Sequence, residues 1–258
     1  MKKVKIRGLS FDNVTMEEAI SLAAQALKQN KQISVFTPNA EIAQLAEENG
    51  DIRDLLNRAD ILLPDGAGIL LAAKIAKTPL TQKVAGVDFG ENILRLAARE
   101  EYPIFFLGGK PGIAALAAEK QKKNFSSLSV VGTRDGYFEK SGTENDSVLR
   151  AVNESGARIL FVCFGAPAQE KWIDENKAKL PNVRLLMGLG GSLDVYAGAV
   201  KRAPTLFIHA RLEWLYRLLQ EPKRIGRMMK IPKYIAGAWK ERILRQHRTN
   251  KKWLCHLI

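Results

Sequence analysis

Cysteine and histidine are scarce in this chain, and long hydrophobic runs are missing. Cys163 falls in an apolar segment and Cys255 lies beside the C-terminus, so a disulfide framework is not expected and a reducing, cytoplasmic compartment is. No stretch approaches the roughly 18 apolar residues that a spanning helix needs. The start, Met1-Lys2-Lys3-Val4-Lys5, runs into polar sequence and does not read as a signal peptide. His209, His247 and His256 all follow residue 200, and no D-x-D pair occurs. A metal site is therefore not expected. Internal repeats and low-complexity segments are also missing.

What remains is an ordinary soluble composition with an uneven charge. The 258 residues are 46% hydrophobic and 26% charged, enough for one large α/β domain or a domain with an appendage. The net charge is +13. Residues 201–258 hold 15 Lys/Arg against three Glu, whereas residues 1–200 hold 25 Lys/Arg against 24 Asp/Glu. The tail carries the field, which points to a polyanionic partner met by the tail.

Short apolar runs at 33–37, 60–64, 103–108, 127–132, 158–165 and 183–190 read as strands. They are continuously apolar, as strands buried on both faces should be. Helical patterns lie between them at 15–30, 39–59 (with a break at Asn49-Gly50), 66–77, 87–100, 112–124, 143–155 and 168–179. This alternation predicts an α/β fold, a mostly parallel Rossmann-like sheet with helices on both faces. From about residue 205 the pattern becomes two or three amphipathic helices, with Pro222 and Pro232 suited to first turns. We therefore expect an α/β domain over 1–200 and a basic helical appendage over 201–258; about 58 residues make a poor core alone.

Ligands of open parallel sheets gather beyond the C-terminal strand ends. Here those ends read "FTPNAE", "LPDGAG", "LGGKPG", "FGAPAQE" and "GLGGSLDVYAG". Glycines admit a ligand to the backbone, and free helix N–H groups favour phosphate. Five such turns on one edge predict a nucleotide-like ligand, with Gly108 and Gly109 in one turn and Gly165 and Pro167 in another. Neither a P-loop nor a G-x-G-x-x-G spacing is present. A base for a sugar hydroxyl must be a carboxylate or a histidine. Histidine is missing from the body, so Asp65 is singled out, with Asp88 and Asp194 as further strand-end candidates. The plainer reading makes Asp65 a helix N-cap, and Thr37 and Asn39 a helix entry. Gln169 and Glu170 could read the hydroxyls of a ribose or sugar; the plainer reading is a solvated first helical turn.

The segments "TPNAE", "LPDGAG", "VAGVDF", "FLGG", "DGYF", "FGAPAQEKW" and "GLGGSLDVYAGAVKRAP…LEWLYRLLQEPKR" resemble, in order, the WecG/TagA/CpsF glycosyltransferases, glycosyltransferase family 26. The resemblance runs from about residue 5 to 245. Within the family the tail looks most like that of the TagA-type N-acetylmannosaminyltransferases of wall teichoic acid synthesis. The resemblance implies transfer of N-acetylmannosamine from UDP-N-acetylmannosamine to N-acetylglucosamine on undecaprenyl diphosphate, β-1,4-linked and with inversion. It implies no metal cofactor, a general base at Asp65, an essential Thr37, and a diphosphate role for Arg217, Arg224 and Arg227. A related donor such as UDP-N-acetylmannosaminuronic acid would need only one added cation.

Cations and apolar residues share the tail. Trp214, Leu215, Leu218, Leu219, Ile225, Met228 and Met229 offer an apolar face beside the arginines. Tyr234, Ile235, Trp239 and Ile243 accompany Lys233, Lys240, Arg242 and Arg245. Such helices lie on anionic membrane, here the cytoplasmic face, or dock on the body, or do both. An apolar tail face would also serve a subunit interface in a homo-oligomer. Arg202, Arg211 and Glu213 read equally well as structural. A nucleic-acid partner is the main competing explanation of the basic tail. The high apolar content of the tail and the lack of a reader motif argue against it.

Overall fold

The structure, a computed structural model, describes residues 2–201, 203–204, 207, 213–220, 222 and 225–254, and for Arg217 and residues 245–254 only the backbone. Its centre is a six-stranded parallel sheet of β3 (Ile33–Phe36), β4 (Ile61–Leu62), β5 (Ile104–Gly108), β6 (Val130–Arg134), β7 (Ile159–Cys163) and β8 (Leu185–Gly188). The spatial order is β4-β3-β8-β7-β5-β6. The α/β expectation holds, and so does its physical reason. Phe36, Leu62, Leu107, Val162 and Leu186 enter one apolar layer, while Val35, Ile61, Phe106, Phe161 and Met187 enter the opposite one. Neighbours along these strands thus face different cores, so the runs are almost continuously apolar, with Ser34 of β3 a buried exception that bonds to Asp60.

The helices α1 (Met16–Lys28), α2 (Ala40–Glu48), α3 (Gly50–Asn57), α4 (Ala67–Ile75), α5 (Gly86–Arg99), α6 (Ile113–Asn124), α7 (Gly142–Glu154), α8 (Ala168–Asn176) and α9 (Ser192–Tyr196) join the strands. Local chemistry sets their ends. Thr15 and Glu18 form a capping box at α1. Asn49 ends α2, and its side chain accepts from Asp51 and Ile52 N–H at the start of α3, which makes the expected break.

Two features differ from the sequence reading. An antiparallel hairpin, β1 (Lys3–Ile6) with β2 (Leu9–Asp12), precedes α1. Its buried Asp12 accepts from Leu62 N–H of β4 at 2.8 Å, so the hairpin is tied to that short strand. The strand expected at 127–132 begins at Val130 and runs on to Arg134. It pairs with β5 alone, and an edge strand tolerates the polar Thr133 and Arg134 that the apolar pattern leaves out.

Beyond residue 200 the described residues form α10 (Glu213–Gln220), α11 (Ile225–Met228) and α12 (Lys230–Leu254). Pro232 sits in the first turn of α12, where its missing N–H costs nothing. Tyr234 and Ala238 are buried in the same layer as Phe36 and Leu62, with Ile231 and Ile235 packed against it. These positions repeat at helical spacing and make one stripe that docks α12 on α2 and α4.

Candidate functional site

The C-terminal strand ends line up in sheet order, and the first turns of α2, α4, α6, α8 and α9 follow them directly. β3 leads through Thr37-Pro38-Asn39 into α2, and β4 through Pro64-Asp65-Gly66 into α4. These neighbouring turns are bonded to each other, with Asp65 N–H donating to Pro38 carbonyl at 3.3 Å. Asp65 does not cap its own helix: Gly66 holds that place at φ 81°, a left-handed conformation that suits glycine. Instead Asp65 Oδ2 accepts from Gly86 N–H, the first residue of α5, at 3.2 Å. A Cβ on Gly86 would lie 2.5 Å from Thr37 Oγ1. Thr37 and Asp65 therefore converge on the start of α5, which adds its positive end to the edge. The Thr37 hydroxyl donates to Gly188 carbonyl at 3.4 Å, joining β3 to β8. Asn39 caps α2, accepting from Ile42 N–H at 3.0 Å, as its plainer reading has it.

Asp88 is no strand-end residue. No strand precedes it, because the loop from Thr78 leads straight into α5, whose first turn it occupies. Asp194 occupies the first turn of α9, beside Gly191.

The turn at Gln169 and Glu170 is buried, so the plainer reading of a solvated helix start does not hold. Gln169 Oε1 accepts from Gly190 N–H at 2.8 Å, and its Nε2 donates to Glu170 Oε1 at 2.8 Å. Both lie over Gly188, where a Cβ would come within 3.0 Å of Gln169 Nε2. Glu170 is 1% exposed, and its Oε2 makes no hydrogen bond among the described residues. Burial pushes its carboxyl up to about 7.

The glycines divide into two groups. A Cβ on Gly108 would lie 2.4 Å from Cys163 carbonyl, and one on Gly109 would lie 2.8 Å from Ile113. Their bareness lets β5 close on β7 and α6. Gly165 and Gly190, at φ 84° and 56°, have nothing within 4 Å of such an atom. The ends of β7 and β8 thus leave open space beside these two glycines, with Pro167 just before α8. Beyond β5, the turn at Asp135–Phe138 is pinned by Gly136 N–H to Gly109 carbonyl at 2.9 Å and by Lys140 Nζ to Gly136 carbonyl at 2.7 Å. Tyr137 stands on that turn 68% exposed. Tyr137 belongs to the segment "DGYF", but its place at this edge is seen only in the fold.

The tail reaches the Asp65 end of the edge from two directions. Lys83, three residues before α5, is 3.7 Å from Glu213 of α10. Arg227 of α11 donates through Nε to Glu41 of α2 at 2.6 Å. A Cβ on Gly68 of α4 would meet Ala40 and Ile231 at once. Arg217 lies on α10, its side chain outside the described atoms, and Arg224, Arg202 and Arg211 lie outside the described residues. Glu41 was not singled out, because an acid in a first helical turn is common.

This arrangement has known relatives. The sequence model of the Glycosyl transferase WecG/TagA/CpsF family matches residues 4–248. The chain belongs to that family. It is a glycosyltransferase, as the motifs at the strand ends had implied. It is also 34% identical over 241 residues, 93% of this chain and 92% of the relative, to a protein of Bacillus spizizenii (strain ATCC 23059 / NRRL B-14472 / W23). That relative is named N-acetylglucosaminyldiphosphoundecaprenol N-acetyl-beta-D-mannosaminyltransferase. In this WecG/TagA/CpsF glycosyltransferase, no helix of the described residues is long and apolar enough to cross a membrane.

Proposed function

We propose that this enzyme transfers N-acetylmannosamine from UDP-N-acetylmannosamine to N-acetylglucosamine on undecaprenyl diphosphate, forming a β-1,4 link in wall teichoic acid linkage-unit synthesis. The observation that carries the reading is the meeting of Asp65, Thr37 and the start of α5 beside a docked basic tail. The relative's name supports the sugar and the acceptor.

One displacement suffices. Asp65 takes the proton from the acceptor 4-hydroxyl as that oxygen bonds to the anomeric carbon. The bond from that carbon to the UDP oxygen breaks, its electron pair leaves on the β-phosphate, and the anomeric configuration inverts. The Gly86 N–H bond fixes the direction of the Asp65 carboxylate. The open backbone at Gly165 and Gly190 receives the nucleotide diphosphate, with the first turns of α8 and α9 and the side chains of Asn39 and Asp194 around it, and the buried Gln169 and Glu170 behind, where Gln169 holds Gly190. Arg217, Arg224 and Arg227 stabilise phosphate charge, and losing one such contact costs on the order of 10²-fold in rate. No metal takes part.

The enzyme works as a peripheral protein on the cytoplasmic membrane face. Leu219, Ile225, Met229, Trp239, Ile243 and Leu244 are exposed, and Arg242 stacks over Trp239 at 5.2 Å. An apolar strip with cations beside it suits an anionic bilayer.

One assay tests this reading. Anionic vesicles carrying a lipid-diphosphate N-acetylglucosamine are mixed with the full chain, EDTA and a panel of UDP-sugars. The expected result is protein sedimenting with the vesicles and acceptor-dependent UDP release fastest with UDP-N-acetylmannosamine. Faster release from UDP-N-acetylmannosaminuronic acid replaces the donor, a requirement for added divalent metal removes the metal-free mechanism, and no release from any donor overturns the reading.

A further inference from the structure

We infer that Glu41 is a positioning residue that holds Arg227 against the Asp65 end of the site, ready for the diphosphate. The inference rests on the reaction proposed above and assigns a role to a carboxylate that its mechanism does not use.

Glu41 lies in the first turn of α2, two residues after Asn39. Its side chain is only 6% exposed, whereas that of Arg227 is 56% exposed. Arg227 is its one hydrogen-bonding or ion-pairing partner among the described residues. A carboxylate buried this far needs a cation, so the pair will not separate freely. The geometry of the bond matters as much as its existence. Glu41 takes the Nε–H of Arg227 at 2.6 Å. The two terminal amino groups have no hydrogen-bond partner among the described residues, and these are the groups that grip a phosphate in parallel. Glu41 therefore fixes the stem of the guanidinium and leaves its end free.

α2 bears a second tail contact that serves as an internal control. Glu48, at the opposite end of the helix, accepts from Lys230 and from Lys233 at 2.6 Å each. It lies seven residues from Glu41, about 10 Å along the axis and away from the strand ends. Both contacts dock the tail, yet only Glu41 stands beside the turn of Thr37 and Asp65.

The test compares Glu41→Gln, Glu48→Gln, Arg227→Ala and the double variant Glu41→Gln/Arg227→Ala in the vesicle assay. Glu41→Gln is expected to lower kcat about 10- to 100-fold, since misplacing a group by about 1 Å costs up to 10²-fold. Glu48→Gln is expected to stay within about threefold of wild type, and Glu41→Gln to add nothing in the Arg227→Ala background. Equal losses from Glu41→Gln and Glu48→Gln would mean plain docking and overturn the inference. So would multiplying losses in the double variant, or a lower acceptor KM with unchanged kcat, which would make Glu41 merely a repelling charge. An active wild type with an equally active Glu41→Gln overturns this inference alone. An inactive wild type overturns the proposed reaction, and this inference with it.

Discussion

Glu170 keeps a proton that an exposed carboxyl would lose, because burial holds it up to about 7 against an ordinary 4.5. Between those values the folded chain binds a proton that the unfolded chain has released. Stability from this residue is therefore complete below about pH 4.5 and lost as pH rises through about 7. Glu170→Gln cannot ionise and keeps the shape. Its Tm relative to wild type should rise by a few degrees between about pH 5 and about pH 8. A pH-independent difference in thermal melts would contradict the assignment. Asp65 shows the other side of residue-scale reading. Its type and its place after an apolar run singled it out. That it braces α5 and not α4 depends on Gly86, 21 residues away, which no local pattern announces.

At the scale of elements, two glycines that look alike in sequence do different work. Gly108→Ala would drive a methyl to 2.4 Å from Cys163 carbonyl at φ 138°. It should cost about 2 kcal/mol or more in denaturant unfolding. Gly165→Ala meets no atom within 4 Å, so only its backbone strain, about 1–2 kcal/mol, should appear in stability. Its larger effect should be weaker UDP binding by calorimetry. Equal stability losses with unchanged UDP affinity would contradict the division into a packed and an open turn. Periodicity showed the six strands because alternate residues feed two separate cores. It missed the hairpin, whose Lys3, Lys5 and Ser10 dilute the apolar signal while Val4, Ile6, Leu9 and Phe11 are buried. Docking on the body is what the described residues display: Tyr234, Ala238 and Met228 turn inward, while Trp239, Ile243 and Met229 stay exposed. Helical spacing gives such faces, but it does not say which one the body takes.

Across the whole molecule, a nearly neutral α/β body is joined to a tail that holds most of the net positive charge. Ion pairs and a buried stripe fasten the two together. Glu48 is drawn down to about 2 by hydrogen bonds from Lys230 and Lys233, and Arg7 donates to Tyr234 carbonyl at 2.6 Å. This docking places Arg227 beside the first turn of α2, whose entry is bonded to Asp65, and leaves an outer apolar strip exposed, the face set against the bilayer in the proposed function. Glycosyl transfer centred on Asp65 is the claim that joins these parts. Its most direct test is acceptor-dependent UDP release by wild type and Asp65→Asn on the same acceptor-bearing vesicles, with UDP affinity measured alongside. Asp65→Asn should bind UDP as wild type does and lose about 10²- to 10⁴-fold in kcat. Turnover at the wild-type rate would contradict the base assignment and the catalytic centre built on it.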